Sequence, residues 1–463
     1  MMRRLLALSL SVWVSVPVWG QSSCGPQILD CRATSSNRRL SPVLNGQQES
    51  SWVADSGISG NFTVHEQRAD QPVILEELVQ EALENNREIL AARRRYDARQ
   101  ARIPQEGAPP EPMLSIGSMG NLLPFSIQRG DPSSARIVSF SQEIPFPGKL
   151  SLQSKVAWAD AQAELWDYEL VRRRVIAELK TAYYDLYFVE KSLESVGKTK
   201  DLLQQVLKIA EARYQVGKAA QQDVLKAQTE ISILLERLAV LERQRATTVA
   251  RINSILYRPP DTPLGRPTEV RKSEFPYSLE QLYQLALQRY PELRKQERII
   301  DRSQYAVSLM RKEFYPDFGV TFQYLQRPAM PEMWGLMVNV KIPLYFWKRQ
   351  RPALEEAASE LAAAKQTHER IAAQLLFQIK DQYLMATTAE RLLRLYGEGI
   401  IPQATLTLES SVASYQVGTV DFLTLLTNVM TVLTYELNYY EQLATFQKSL
   451  AQLEPLVGVE LAR

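Results

Sequence analysis

Along most of the chain apolar positions recur with helical spacing and little interrupts them. Residues 73–103, 150–196, 198–216 and 218–258 contain neither Gly nor Pro, and their pattern predicts long helices. The second half repeats the layout over 277–315, with Pro291 inside it, then 353–396, 403–417 and 419–454. After Gly217 the apolar residues fall at Val224, Ala227, Ile231, Leu234, Leu238 and Leu241, alternating steps of three and four, which is a coiled-coil seam. Phe422, Leu426, Val429 and Leu433 do the same in the second half. A helix over 150–196 alone would extend roughly 65 to 70 Å at about 1.5 Å per residue, far beyond a globular average of about 11 or 12 residues.

Between the first and second helical stretches of each half the period falls to two. Residues 113–119 and 137–144 carry strand patterning, the latter with Val138, Phe140 and Ile144 on one face and Ser139, Ser141 and Glu143 on the other. The second half is cleaner: Phe318, Val320, Phe322 and Tyr324 alternate with Gly319, Thr321 and Gln323, and Leu336, Val338, Val340 and Ile342 with Met337, Asn339 and Lys341. Each half therefore offers one hairpin. Such alternation fits a half-buried soluble sheet or a transmembrane barrel with a wet interior. Four strands cannot close a barrel, whose minimum is about 8, so a barrel would have to be shared between chains: two would give about 8 strands and three about 12.

The halves share residues as well as layout. LEELVQEAL from Leu75 matches LEQLYQLAL from Leu279, and RYQVG from Arg213 matches SYQVG from Ser414. The chain is a tandem duplication with a unit of roughly 200 residues, too long for a solenoid repeat, and so two copies of a whole substructure. The expected organisation is a signal peptide over 1–20, a flexible leader over 21–71, a first repeat over 72–270 with its hairpin at 113–144, and a second over 271–463 with its hairpin at 318–343. Gly217 and Gly418 mark the tips at which antiparallel helix pairs turn back.

The N-terminus places this organisation outside the cytoplasm. Arg3 and Arg4 precede an apolar run that ends at Val18, Trp19 and Gly20, the form of a secretory signal. That run is shorter than the roughly 20 residues a spanning helix needs and no later segment qualifies, so a membrane role falls to the strands. Export puts Cys24 and Cys31 where a local disulfide is the default; lipidation of Cys24 is the alternative, disfavoured by Gln21 three positions earlier. Residues 21–71 are polar and lack apolar periodicity.

Charge and inventory then exclude other classes. Lys plus Arg total 54 against 52 for Asp plus Glu, leaving no surplus to attract nucleic acid. There is no GxSxG, no phosphate-binding loop and no clustered ligand set; the two histidines, His65 and His368, stand apart. No catalytic residue, cofactor or resident metal is expected. Carboxylates such as Glu355, Glu356 and Glu360 have the spacing of a solvated helical face.

Taken in order and twice over, these features resemble the TolC-like outer membrane efflux proteins, across 75–461. The resemblance is carried by the duplicated LEELVQEAL and LEQLYQLAL openings, the YPDF segment entering a strand at Tyr315, the SQEIPFPGKL segment leaving one from Ser141, and the tips RYQVG and SYQVGTVDFL. It implies a mainly α fold with a small β part: long α-helical hairpins forming a coiled-coil barrel, plus four transmembrane strands per chain. It further implies a homotrimer closing a 12-stranded β-barrel in the outer membrane and extending into the periplasm. The implied function is the exit duct of a tripartite efflux system, receiving substrates from a periplasmic adaptor and an inner-membrane pump. SQEIPFPGKL is most similar to members paired with resistance-nodulation-division pumps, for which heavy-metal cations or drugs are the cargo.

The same resemblance assigns the tips. Tyr214, Val216 and Gly217, with Tyr415, Val417, Gly418 and Thr419, would meet the adaptor. Asp223 would bond Tyr415 at the closed aperture, although a solvated carboxylate at a helix start explains Asp223 equally. Thr424 and Thr427 stand where inward acidic residues make some apertures cation-selective, and Val420 where a basic residue is common, leaving Asp421 as the acidic substitute. The competing reading is a periplasmic adaptor or other exported coiled-coil scaffold, but an adaptor carries a lipoyl-like β-domain and one hairpin, against two hairpin systems here.

Overall fold

The computed structural model describes residues 72–120, 127 and 131–461. The signal peptide, the leader and the Cys24 and Cys31 pair lie outside the described residues. Each repeat opens with a broken helix. In the first, α1 (Leu75–Asn85) gives way to α2 (Arg87–Gly107) at Asn86, an extended residue whose side-chain oxygen accepts from the backbone N–H groups of Glu88 and Ile89. That is an N-cap, and it starts a second helix where the periodicity alone suggests one continuous helix. The Asn86 amide also donates to the Ile255 carbonyl at 2.9 Å, which fixes the break against a later helix.

The four strands form one antiparallel sheet in chain order: β1 (Met113–Met119), β2 (Ala135–Ile144), β3 (Asp317–Gln326) and β4 (Met333–Lys341). The β2–β3 pairing joins the two repeats. Its register sets Phe140 opposite Phe322 and Ile144 opposite Phe318, while β3 sets Val320 opposite Val338 and Phe322 opposite Leu336. Successive side chains of a strand alternate faces. One face therefore carries Ile116, Val138, Phe140, Phe318, Val320, Phe322, Tyr324, Trp334, Leu336, Val338 and Val340. The other carries Ser139, Ser141, Gly319, Thr321, Gln323 and Asn339 through its middle, with Met337 among them and Ile137, Leu325 and Met333 at one end. Gln142 interrupts the apolar face, and its amide is committed to the Pro110 carbonyl at 2.7 Å. Among the described residues β1 and β4 each have one edge without a partner strand.

From the sheet the chain enters α3 (Lys149–Gln215), a 67-residue helix, and after a tight turn α4 (Gln221–Leu256). The second repeat follows suit with α5 (Leu279–Arg289), α6 (Pro291–Lys312), α7 (Gln350–Arg394), α8 (Ile401–Val417) and α9 (Phe422–Val457). Here Tyr290 takes the place that Asn86 holds in the first repeat, without a side-chain cap, and Pro291 follows at the first position of α6. Residues Leu395–Ile400, between α7 and α8, form a π-helical turn, so the chain is helical from Gln350 to Val417. At 1.5 Å per residue α3 extends about 100 Å.

Among the described residues four buried clusters hold the helices; one packs Ile89 and Ala92 of α2 on Val171 and Val175 of α3, and α9 runs through the other three. Leu78 and Ala82 of α1 pack with Leu179, Ala182 and Leu186 of α3, Ile252 and Leu256 of α4, and Ala444 and Ala451 of α9. The counterpart in the second repeat joins Leu282 and Ala286 of α5 to Leu375 and Ile379 of α7 and to Phe446, Leu450 and Leu453 of α9. Toward the turns, Leu203 and Val206 meet Ala227, Leu234 and Leu241 and then Phe422, Leu426, Val429 and Leu433, which are the seam residues of both repeats. Lys180 of α3 and Glu454 of α9 form a buried ion pair at 2.6 Å, a charge contact across the repeats.

Candidate functional site at the helical tips

Both helix pairs reverse on a glycine in the left-handed region, at φ +74° for Gly217 and +89° for Gly418. In the first, the Lys218 N–H donates to the Arg213 carbonyl at 2.8 Å and that of Gly217 to Tyr214 at 2.9 Å; in the second, the Thr419 N–H donates to Ser414 at 3.0 Å. The Lys218 and Thr419 bonds are of the six-to-one kind; they satisfy carbonyls that a helix end leaves open, and the left-handed residue they require is why glycine stands at each tip. Thr419 adds its hydroxyl to the Ser414 carbonyl at 3.1 Å.

The helices that leave the tips start differently. Asp421 caps α9: its carboxylate accepts from the Thr424 N–H at 3.3 Å and the Thr424 hydroxyl at 2.6 Å, and these bonds hold its pKa below the usual carboxylate value. Asp421 and Thr424 are therefore one unit. Thr427, one turn on, returns its hydroxyl to the Leu423 carbonyl at 2.8 Å. Asp223 lies in the first turn of α4, half-buried, where the Ala220 cap offers no side-chain bond.

Tyr415 is the centre of the site. It is buried, packs edge-on against Phe422 with centroids 5.9 Å apart, and its hydroxyl is enclosed without a hydrogen-bond partner. Asp223 and Tyr415 are not bonded within the chain, but they are near enough to interact: burial raises the Tyr415 pKa, the Asp223 charge raises it further, and Arg213 opposes. Arg213 is the residue that sequence reasoning passed over. Its guanidinium donates to the Tyr415 carbonyl and stands 4.7 Å from the centroid of the Tyr415 ring, tying the first tip to the second. The signal was present, because RYQVG and SYQVG differ only at this position. A Cβ on Gly418 would lie 3.0 Å from the Arg213 Nη2, so the second glycine also makes room for the arginine of the first tip.

The outer surface of the tips presents apolar side chains among the exposed Gln215, Lys218 and Gln416. Val216 and Val417 are 66% and 78% exposed, Tyr214 is nearly half exposed, and Leu423 projects beside them. The structure thus brings Tyr415, Asp223, Gly418 and Thr419 to one place, with Gly217 nearby through Arg213.

A sheet with one apolar and one polar face, open at both edges and continuous with long helical hairpins, defines a channel-forming subunit rather than a self-contained globule. No helix among the described residues is long and apolar enough to cross a membrane. The sequence matches the family described as Outer membrane efflux protein in two segments, residues 78–256 and 282–459. The chain belongs to that family, and is an outer-membrane channel of the efflux type that extends into the periplasm. No curated protein matches the sequence. Among solved structures, VceC of Vibrio cholerae has a TM-score of 0.72 at 16% identity, covering 84% of this chain and 96% of its own. CusC gives 0.71 at 18% identity with 83% and 91% coverage, and the open state of Neisseria gonorrhoeae MtrE 0.69 at 16% with 84% and 90%. These likenesses establish the fold. The family match removes the adaptor or scaffold alternative, and the family is one of ducts rather than enzymes.

Proposed function

We propose that this chain is the exit duct of a tripartite efflux system, working as a homotrimer whose three sheets close a 12-stranded barrel. The observation that supports this most is the open-edged sheet: one face is apolar, both edges are free to pair, and four strands are too few to close alone. Pairing of β1 with β4 of the next copy satisfies both edges. The exposed apolar surface of Tyr214, Val216 and Val417, organised by Gly217, Gly418 and Thr419, is the docking surface for a periplasmic adaptor, through which an inner-membrane pump of the resistance-nodulation-division type delivers substrate. Asp223 and Tyr415, with Asp421, Thr424 and Thr427, border the periplasmic aperture. The cargo is heavy-metal cations or drugs, a reading that rests on the likeness carried by the SQEIPFPGKL segment from Ser141.

The test is twofold. Outer-membrane fractions should yield a detergent-stable trimer that heating converts to monomer; a monomer soluble without detergent would overturn the duct reading. A deletion strain should become sensitive to a metal salt or to a drug panel, and which of the two sensitivities complementation reverses fixes the substrate class.

A further inference from the structure

The two sheet-to-helix connectors are related by the duplication but differ in chemistry. Both begin Ile-Pro, at Ile144 and Pro145 in the first repeat and at Ile342 and Pro343 in the second. The first connector is then Phe146, Pro147, Gly148; the second, twice as long, is Leu344, Tyr345, Phe346, Trp347, Lys348, Arg349.

At the first connector the aromatic and cationic groups are used internally. Phe146 stacks on Tyr315 with centroids 4.6 Å apart, Lys312 covers both rings, and the buried Lys149 ammonium is held by Asp317 at 2.8 Å and Glu313 at 3.5 Å. In the second repeat the groups are left outward. Leu344, Tyr345 and Trp347 are 66%, 69% and 53% exposed, and Phe346 is exposed with them. Among the described residues the ring pairs at this connector are with one another: Tyr345 and Phe346 each meet Trp347 edge-on, at 6.0 and 5.3 Å. Arg351 pairs with Glu355, whereas among the described residues neither Lys348 nor Arg349 has an acidic partner.

This patch sits where the apolar face of β4, running through Leu336, Val338, Val340 and on to Ile342, gives out and α7 begins. In a channel of the outer membrane that is the boundary between hydrocarbon and periplasm. Tyr and Trp favour such a boundary because their rings are apolar and their edges polar, and unpaired cations there attract anionic headgroups. We infer that Tyr345, Phe346 and Trp347 with Lys348 and Arg349 form a binding site for an anionic phospholipid of the periplasmic leaflet, the rings against its acyl and glycerol region and the cations on its phosphate. One site per chain, in the second repeat alone, would anchor the channel at a fixed depth. The assignment rests on the outer-membrane family and not on the adaptor, the pump or the cargo.

The full-length channel, extracted in mild detergent, is titrated with phosphatidylglycerol or phosphatidylcholine, and retained lipid is counted by native mass spectrometry. Wild type should retain phosphatidylglycerol in preference. At about a tenfold loss for each 1.4 kcal/mol, and about 1 kcal/mol per cation at an anionic surface, Lys348→Gln with Arg349→Gln should reduce that preference by roughly 10- to 30-fold. Trp347→Ala should weaken retention of both lipids while leaving the preference in place. Undiminished preference in the double variant would overturn the site, as would full displacement of the lipid by inorganic phosphate. A double variant that changes the subunit stoichiometry but not the retained lipid would show the patch to be covered by a neighbouring copy, which also overturns it.

Discussion

At the scale of single residues the informative group is Tyr415, a buried phenol whose hydroxyl bonds to nothing. A buried polar atom without a partner carries a desolvation cost, so removing it should be harmless. Tyr415→Phe should leave the thermal unfolding midpoint unchanged or slightly raised, whereas Arg213→Met, which removes both the ring contact and the carbonyl cap, should cost about 1 kcal/mol. Scanning calorimetry of the two variants separates them, and a loss in Tyr415→Phe as large as that in Arg213→Met would contradict the placement. The pH dependence has a defined sign. Burial first, and Asp223 second, raise the Tyr415 pKa above its unfolded value. Its stabilising contribution is therefore complete below about pH 10 and is lost as pH rises through the folded value. In alkaline absorbance titrations the difference between wild type and Tyr415→Phe should be a single phenol that ionises later than exposed tyrosines.

The tip glycines make a second pair. Valine at either position must adopt a left-handed backbone, at a cost of roughly 1–2 kcal/mol. Gly217 opens onto free space, but Gly418 is backed by Arg213. Gly418→Val should therefore lower the unfolding midpoint more than Gly217→Val does, because it also displaces the arginine from Tyr415. Equal shifts would mean that Arg213 is not held there.

At the scale of elements, the repeats show what the hydrophobic pattern discloses and what it conceals. The helical seams were legible because the seam positions of α4 and α9, such as Leu234, Leu241, Leu426 and Val429, pack together at helical spacing, and the strands because their faces alternate. The break at Asn86 was not, since its cause is a side chain capping N–H groups three residues on, a device no Gly or Pro announces; Pro291 marks the same break in the second repeat. Glycine misleads in the opposite direction. Gly197 suggests an interruption, yet α3 runs through it; Gly397 and Gly399 flank the equivalent position before their tip, and there the backbone widens into the π-turn. The environments of these glycines differ. A Cβ on Gly197 meets nothing within 4 Å, while one on Gly397 comes 3.4 Å from the Tyr439 ring. Gly197→Ala should stabilise by about 0.5–1 kcal/mol through backbone entropy alone. Gly397→Ala should gain less, because Tyr439 has to accommodate the methyl group. Denaturant unfolding in detergent reads the difference, and a destabilised Gly197→Ala would show that α3 is not a regular helix at that level. The tip residues were legible in part: Gly217 and Gly418 stand out as breaks, while Arg213 is informative only when the two repeats are compared.

At the scale of the whole molecule, the decisive property is that the sheet has two unlike surfaces one residue apart. Val338 and Asn339 are consecutive in β4, exposed in the single chain, and point to opposite faces. Val338 pairs with Val320 within the apolar band; Asn339 faces the polar side, where its amide reaches the Thr321 hydroxyl at 3.1 Å. In a membrane barrel the first must meet lipid and the second water. A lysine near the bilayer midplane costs about 2–4 kcal/mol, while one in a wet lumen costs little. Val338→Lys should therefore reduce assembly of heat-modifiable oligomer in outer-membrane fractions severely, and Asn339→Lys should assemble like wild type. A soluble, half-buried sheet would behave differently, because a lysine at position 338 could extend into water. Gln142 supports the lipid assignment from the other side: set between Phe140 and Ile144 on the apolar face of β2, it is not left to the surroundings but turned back onto the Pro110 carbonyl, as a low-dielectric neighbour demands. If both lysine variants assemble equally well, the apolar face does not contact hydrocarbon, and the barrel, the depth of the Tyr345 to Arg349 patch and the closure of the sheet by three copies lose their common foundation.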